Sequence, residues 1–532
     1  MLAEPSARTL VIGIESAEIR LIEKWASEGS LPFLKSLLRS YPLVTLSTPL
    51  HVLQTAVWPS VLTGTSAGRH GRYVLWSQLR SGSYDMRGPP TVPHSLRRYQ
   101  EFLAERGVRP VLADIPNDVR IQGHRGMQVV DWGTEFHFGD CETEPRELAA
   151  RIAREVGLYP IAPFRVSGDS QPEHLELARL LDEGVRRKGA LTRWLLDQPA
   201  DHVVSVFSET HKAAHWFWKY MDCDHVDHEV SPPALSGAIR SIYQGVDREL
   251  AALAALLGPR DNLVVFSEQG MQASYRGDHL AERLLEALGM LVRKTSAPAR
   301  LPSGVLRRGV DSRSERAGER SRLWRALAAT KARIPEALKA PLRPLSRRGD
   351  IDWRRTRVFR LPTDRNTYLR VNLRGREPRG CVEPGAEYDA LLSRLETELH
   401  ALRNAATGKP AVVEIFRPRE MFAGERADYL PDLAVEWAAD APIDSLQSES
   451  VGTLTLSVRE TRSGNHRPQG FLLAKGPAFV PGPARLTGDV LQIPATLLGI
   501  HGVPQPAQFE RGPLPILAAA GDSTQTLRWN CL

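Results

Sequence analysis

Two histidines, four residues apart, follow a hydrophobic run in the segment VFSETHKAAHWFW, residues 206–218. Residues with this spacing share one face of an α-helix, so His211 and His215 could bind one metal ion through neutral imidazole nitrogens. For an isolated pair, helix capping or packing against a tryptophan is the more common role. This pair, however, would open a helix directly after a buried strand, where α/β sheets bind their ligands. That position favours a metal site.

Three further polar residues stand where they could join the pair. His466 lies in a glycine-bounded turn, SGNHRPQG, and Glu15 and Glu268 end two strand-like runs. A lone loop histidine or a strand-end carboxylate usually has no special role. Five such groups at the same predicted sheet edge indicate a shared centre more strongly than any one of them does.

A hydroxyl group that could act as a nucleophile occurs in QTAVWPSVLTGTSAGRHG, residues 54–71. This segment is typical of a helix start followed by a glycine-rich turn, and Thr55 lies near that start. Its hydroxyl could cap the helix, or it could attack an anion held by the helix N–H groups. The acid- and histidine-rich segment 222–229 has no metal-ligand spacing, and we interpret it as a loop.

Short apolar runs, rich in β-branched residues, alternate with long amphipathic patterns. The runs cover residues 9–15, 108–116, 201–209 and 261–270, and the longest helical patterns cover 172–197 and 236–258. Continuous apolar strands joined by helices are typical of buried parallel sheets. The sequence therefore predicts an α/β sandwich.

The chain divides into four predicted parts. Residues 1–290 form the first part of the core, 291–350 a basic insertion, 351–445 a subdomain or cap, and 446–532 the C-terminal part of the core. A length of 532 residues is too great for one simple core, which supports this division.

Composition narrows the class of protein. Hydrophobic residues make up 42% and charged residues 25%, as in ordinary globular proteins. No apolar run is long enough to span a membrane. The four cysteines are widely spaced and form no CxxC pattern, which predicts a location in the reducing cytoplasm. Much of the net charge of +7 falls within 293–358, without aromatic interleaving, so we expect no nucleic-acid partner.

The order of these motifs resembles the alkaline phosphatase superfamily, specifically its type I phosphodiesterase/nucleotide pyrophosphatase branch. The matching segments are VIGIESA, LPFLKSLL, LTGTSAGRHG, THKAAHWFW, SEQG and GNHRPQG, between about residue 9 and about residue 515. The resemblance implies an alkaline phosphatase-like α/β/α sandwich with a mostly parallel central sheet and an inserted cap or subdomain.

The resemblance also implies two metal sites with altered ligands. Family members use two zinc ions, one held by Asp, His and His and the other by two Asp and a His. The first set corresponds here to three histidines, which are His211, His215 and His466. The second set corresponds to two carboxylates and an amide, which are Glu15, Glu268 and Gln269.

The nucleophile is also altered. Counting back from Gly64, the position of the family's Thr or Ser nucleophile falls on Gln54, whose amide cannot accept a phosphoryl group in the usual way. Either Thr55 takes over this role, or the enzyme activates water at the metal, or the family reaction is lost.

These observations predict a metal-dependent hydrolase or transferase that acts on a phosphate ester, phosphodiester, pyrophosphate or sulfate ester. The cofactor would be one or two divalent ions, zinc first, with manganese, iron or copper as alternatives. The partner would be a small anionic substrate. Two other hypotheses stay open: a redox or oxygen-dependent metalloenzyme with a three-histidine site, and a non-catalytic relative that binds an anionic ligand or a protein.

Overall fold

The computed structural model describes most of the chain. The described residues are 7–47, 53, 55–74, 78–79, 82–84, 86–87, 96–123, 125–134, 141–161, 169–275, 277–294, 350–361, 367–456 and 462–518. Gln54 and residues 295–349, which include most of the predicted basic insertion, lie outside them. Over the described ranges, no helix combines the length and the apolar character needed to cross a membrane.

Twenty strands are found in these ranges. They are β1 (Thr9–Ile14), β2 (Leu43–Ser47), β3 (Gln78–Leu79), β4 (Met86–Arg87), β5 (Pro110–Ala113), β6 (Met127–Val130), β7 (Glu142–Glu144), β8 (His202–Phe207), β9 (Asn262–Ser267), β10 (Gly270–Ala273), β11 (Val358–Leu361), β12 (Thr367–Val371), β13 (Arg403–Asn404), β14 (Val412–Phe416), β15 (Leu433–Trp437), β16 (Ser445–Ser448), β17 (Gly452–Thr455), β18 (Gly464–Arg467), β19 (Gly470–Lys475) and β20 (Arg485–Asp489).

The α-helices of the same ranges are α1 (Ile19–Ser27), α2 (Pro32–Ser40), α3 (Val57–Thr63), α4 (Ala67–His70), α5 (Tyr99–Glu105), α6 (Leu148–Glu155), α7 (Gln171–Leu196), α8 (Glu209–Met221), α9 (Pro233–Ser236), α10 (Ala238–Ala254), α11 (Ala281–Ala287), α12 (Ala386–His400), α13 (Pro418–Met421) and α14 (Ile493–Ile500). Segment 222–229 contains only turns and irregular backbone, as predicted.

A nine-stranded sheet forms the centre, in the order β20-β2-β19-β9-β1-β8-β5-β6-β7. Its middle strands β9, β1, β8, β5 and β6 are parallel, whereas β19 and β7 run antiparallel to their neighbours. Every residue of β1, β8 and β9 is buried, which explains their nearly continuous apolar sequences. The prediction of a mostly parallel central sheet is confirmed.

Alternate residues of the central strands point to opposite faces of the sheet, and each face carries its own helices. Leu10, Ile12 and Val265 pack in a hydrophobic cluster with α1, α2, α7, α8 and α10. Val11 and Val264 pack in a second cluster with α3, α5 and α14. Helices on both faces of one sheet make the α/β/α sandwich.

A third hydrophobic cluster lies outside the sandwich. It combines α11 with the four-stranded antiparallel sheet β11-β12-β15-β14, helix α12 and the small sheet β13-β16-β17. Its residues come from 280–291, 358–412 and 433–446, with partly buried residues up to 456 packed against it. The domain boundaries drawn from the sequence remain a prediction.

Candidate metal centre

The three central strands, β1, β8 and β9, end at the same edge of the sheet. Ile14 of β1 is in register with Phe207 of β8, and Gly13 is in register with Phe266 of β9. Because the strands are parallel, the segments that follow them emerge side by side. Glu15, the first turn of helix α8 and Glu268 therefore lie at the same edge.

Helix α8 carries the first two histidines. All of its residues except Met221 are buried, and the ring centroids of His211 and His215 lie 4.6 Å apart. Thr210 donates from Oγ1 to the main-chain oxygen of Glu15 at 2.8 Å, which ties the start of the helix to the end of β1. The prediction that both histidines open a helix after a buried strand is confirmed.

His466 reaches the pair from a strand rather than from the turn that its sequence predicts. It lies in β18, opposite Met271 of β10. The strand begins against helix α8, where a Cβ atom on Gly464 would lie 2.1 Å from the main-chain oxygen of Ala214. Ser463 reinforces this contact, since its amide donates to the main-chain oxygen of His215 at 2.7 Å. Only glycine allows so close an approach.

The three imidazoles converge. Nε2 of His211 lies 3.3 Å from Nε2 of His466, and one ring nitrogen from each histidine lies within 4.8 Å of the others. Among the described residues, this is the one group of three or more His, Cys, Asp or Glu with so compact a set of ligand atoms.

Each imidazole has a protein oxygen atom close to its Nδ1 atom, at hydrogen-bond distance in His215 and His466 and as an ion-pair contact in His211. His211 Nδ1 lies 3.1 Å from Oε1 of Glu15, His215 Nδ1 lies 2.7 Å from the Gly464 carbonyl oxygen, and His466 Nδ1 lies 3.4 Å from Oγ of Ser16. At His215 the Gly464 carbonyl oxygen can only accept, so it holds the proton on Nδ1 and leaves Nε2 available to a metal.

These side chains fit a divalent metal ion. Zinc binds imidazole nitrogen at roughly 2.0–2.1 Å, so two nitrogens on one tetrahedral ion lie about 3.3 Å apart. The separation of the His211 and His466 Nε2 atoms equals this value. Three neutral nitrogens also leave room for a fourth ligand, as in catalytic zinc sites.

Ser16 is a member of the centre that the sequence reasoning missed. Its backbone has φ 52°, in the left-handed region that non-glycine residues rarely adopt. Its amide lies 3.3 and 3.4 Å from the two carboxylate oxygens of Glu268, and its Oγ accepts from Nε2 of Gln269 at 3.2 Å. No motif in the sequence signals this backbone conformation, although adjacency to Glu15 could have placed Ser16 among the candidates.

The carboxylates Glu15 and Glu268 lie close together in this buried edge. The pKa of the Glu268 carboxyl is raised well above its usual range. Burial is the main cause, and the nearby Glu15 carboxylate is the second. The structure thus brings together all the sequence-predicted ligands: His211, His215, His466, Glu15, Glu268 and Gln269.

Thr55 lies three residues before Trp58. The ring of Trp58 packs so closely on β1 that a Cβ atom on Gly13, the residue before the last of this strand, would lie 3.1 Å from it. Within the described part of the chain, the buried Oγ1 atom of Thr55 has no hydrogen-bond partner. Gln54, the other candidate, lies outside the described residues.

Comparison with solved structures gives likenesses of low sequence identity that span nearly the whole chain. Phosphonoacetate hydrolase from Sinorhizobium meliloti 1021, solved with phosphonoacetate, shares 13% identity, and the alignment covers 94% of this chain and 96% of that one with a TM-score of 0.50. This likeness shows the fold. Murine ectonucleotide pyrophosphatase/phosphodiesterase 5, an inactive form in complex with AMP, aligns over the same shares at 12% identity and a TM-score of 0.42.

Sequence comparison identifies the family. No curated protein matches the chain in sequence. Residues 9–356, well over half of the chain, match the family described as type I phosphodiesterase/nucleotide pyrophosphatase. This range contains the central strands β1, β8 and β9, helix α8 and all the predicted site residues except His466. The chain therefore belongs to the type I phosphodiesterase/nucleotide pyrophosphatase family of the alkaline phosphatase superfamily and is a phosphoester hydrolase.

Proposed function

We propose that the protein is a metal-dependent phosphodiesterase or phosphatase whose metal is held by His211, His215 and His466. The convergence of three imidazoles at the carboxyl edge of the sheet is the observation that carries this proposal. The three histidines would hold a divalent ion, zinc by preference, which would supply Lewis-acid chemistry by polarising a phosphoryl oxygen and lowering the pKa of water. The substrate is a small anionic phosphate ester, phosphodiester or pyrophosphate, or a related sulfate ester.

The protein side chains then have two tasks. Glu15, the Gly464 carbonyl and Ser16 lie beside the Nδ1 atoms of the three imidazoles, which leaves the Nε2 atoms to bind the metal. Thr55 supplies the nucleophile: its hydroxyl proton passes to water, and Oγ1 bonds to phosphorus as the bond to the leaving oxygen breaks. The leaving oxygen takes up a proton from water, and a second water molecule later hydrolyses the phosphothreonine. An unbonded, buried hydroxyl near the start of α3 supports this role.

Two further proposals concern the setting of this activity. The free thiols of Cys141, Cys223 and Cys381 support a reducing, cytoplasmic location. The separate hydrophobic cluster around α12 supports the division into core and cap, with the cap in residues 351–445.

The test combines metal removal with turnover of bis(p-nitrophenyl) phosphate, a generic phosphodiester. The expected result is hydrolysis that a chelator abolishes and Zn²⁺ restores, and that His211→Ala and His466→Ala reduce by at least about 100-fold. His400→Ala, at an exposed position in the last turn of α12, is the matched control and keeps full activity. Absence of both bound metal and turnover refutes the proposal, and stoichiometric iron or copper with dioxygen uptake would favour the redox hypothesis.

A further inference from the structure

Side-chain atoms of Glu15, Glu268 and Gln269 already face other protein groups, although Oε2 of Glu15 makes no hydrogen bond to the described residues. Glu15 extends Oε1 to within 3.1 Å of His211 Nδ1, on the side of the ring opposite Nε2. Two further bonds hold this geometry: the Glu15 amide donates to the Phe207 carbonyl at 2.9 Å, and the Glu15 carbonyl accepts from Thr210 at 2.8 Å. Glu15 is thus built into the support of one imidazole.

Glu268 and Gln269 are engaged around Ser16 instead of around a common point. The Ser16 amide faces both oxygens of Glu268, and the Ser16 hydroxyl also lies 3.3 Å from Oε1. Gln269 turns its Nε2 donor, not an acceptor, toward the same hydroxyl. Glu268 therefore already faces N–H and O–H donors of Ser16, and Gln269 directs a donor toward Ser16.

From these contacts we infer that the centre binds a single metal ion, through His211, His215 and His466, and that Glu15 is a positioning residue for His211. The inference rests on the proposed metal-dependent function and deepens it. A carboxylate that accepts the Nδ1 proton of a metal-bound imidazole fixes the ring and raises its basicity. Glu268 stabilises the strained Ser16 turn and is not a ligand of a second ion.

The experiment is a zinc titration of the full-length protein after chelator treatment, with the bound zinc counted by elemental analysis and the affinity measured by competition with a chromogenic chelator. The expected result is one zinc per chain. Glu15→Gln still binds one zinc, but 10–100-fold more weakly, which is about the range for lost outer hydrogen-bond partners of a ligand. Glu268→Gln binds one zinc with an affinity changed by less than about threefold.

Controls separate folding from binding. His215→Ala removes a ligand and should bind less than about a tenth of an equivalent, whereas His400→Ala binds one equivalent. Circular dichroism checks the fold of each variant, and the two isosteric glutamine variants provide the comparison if His215→Ala does not fold. Two zinc ions per wild-type chain, with one lost in Glu268→Gln, overturn the inference but leave the proposed function standing. No zinc on the wild-type chain overturns both.

Discussion

Nε2 of His211 lies 3.3 Å from Nε2 of His466, although 255 residues separate the two in the chain. The contact depends on how closely β18 lies against α8. Gly464, at the start of β18, touches the backbone of α8 between the two helical histidines, and Ser463 bonds to the next carbonyl of the helix. The arrangement of the three imidazoles therefore depends on this one junction between a strand and a helix.

A methyl group at position 464 should pull the centre apart. In Gly464→Ala the added Cβ would lie 2.1 Å from the Ala214 oxygen, so β18 must move away and carry His466 with it. We expect a loss of about 1–3 kcal/mol in the free energy of unfolding, together with weaker zinc binding. Gly258→Ala is the matched control, because its Cβ would have only ordinary contact, at 3.7 Å, with Asp261. Equal zinc affinity in both variants would contradict the role of this junction.

The hydroxyl of Thr55 should matter for chemistry and not for folding. Because Oγ1 makes no hydrogen bond to the described residues, Thr55→Ala should change the free energy of unfolding by less than about 1 kcal/mol. Loss of the nucleophile should lower kcat by at least about 100-fold, and Thr55→Ser should restore much of it. The measurements are phosphodiester turnover and denaturant unfolding. Full activity of Thr55→Ala would instead favour direct attack by water.

The buried pair of Lys188 and Asp114 should be a large contributor to stability. Both side chains are fully buried, and the ammonium group bonds directly to Oδ2 of Asp114. Lys188→Met leaves an uncompensated carboxylate in the core, which costs about 3–5 kcal/mol. The double variant Lys188→Met/Asp114→Asn should be more stable than the single variant, as measured by urea unfolding. If the single and double variants unfold alike, the two groups do not act as a pair.

Acid should destabilise the protein partly through His70. Its Nδ1 accepts from the Arg72 amide at 3.0 Å, and its Nε2 lies 2.9 Å from Ser60 Oγ. Burial, followed by the charge of Arg72, lowers its pKa from 6.5 to about 3. Below pH 6.5 the unfolded chain therefore takes up a proton that the folded chain does not. As a result, the free energy of unfolding decreases as the pH is lowered.

At pH 5 the loss due to His70 should be about 2 kcal/mol relative to neutral pH. His70→Gln cannot be protonated, so the difference in unfolding free energy between pH 7 and pH 5 should be smaller by this amount than in the wild type. Urea unfolding at the two pH values provides the comparison. If the wild type and His70→Gln show the same pH dependence, His70 is already protonated in the folded chain at pH 5.

Much of the fold could be predicted from local sequence. The apolar runs that became β1, β8 and β9 are buried on both sides, and such strands have few alternatives to the middle of a parallel sheet. The helical spacing of His211 and His215 likewise needed no knowledge of distant residues. The same is true of the polar residues at the strand ends, because parallel strands end at a common edge.

Other features depended on contacts between distant segments. The sequence around His466 is typical of a turn, yet pairing with β10 makes it a strand, since the register of an antiparallel pair is set by both partners. The left-handed backbone of Ser16 and the orientation of Glu15 toward His211 likewise follow from packing between β1, β9 and α8.

The sequence by itself thus determined which residues could gather at the edge of the sheet, because strand burial and helix periodicity are local properties. Only the tertiary structure decided their arrangement: the three imidazoles lie close to one another, Glu15 lies against His211, and Glu268 faces the Ser16 amide. That arrangement depends on ångström-scale distances between α8, β18 and the ends of β1 and β9. Such distances are set by long-range packing, which no local pattern encodes.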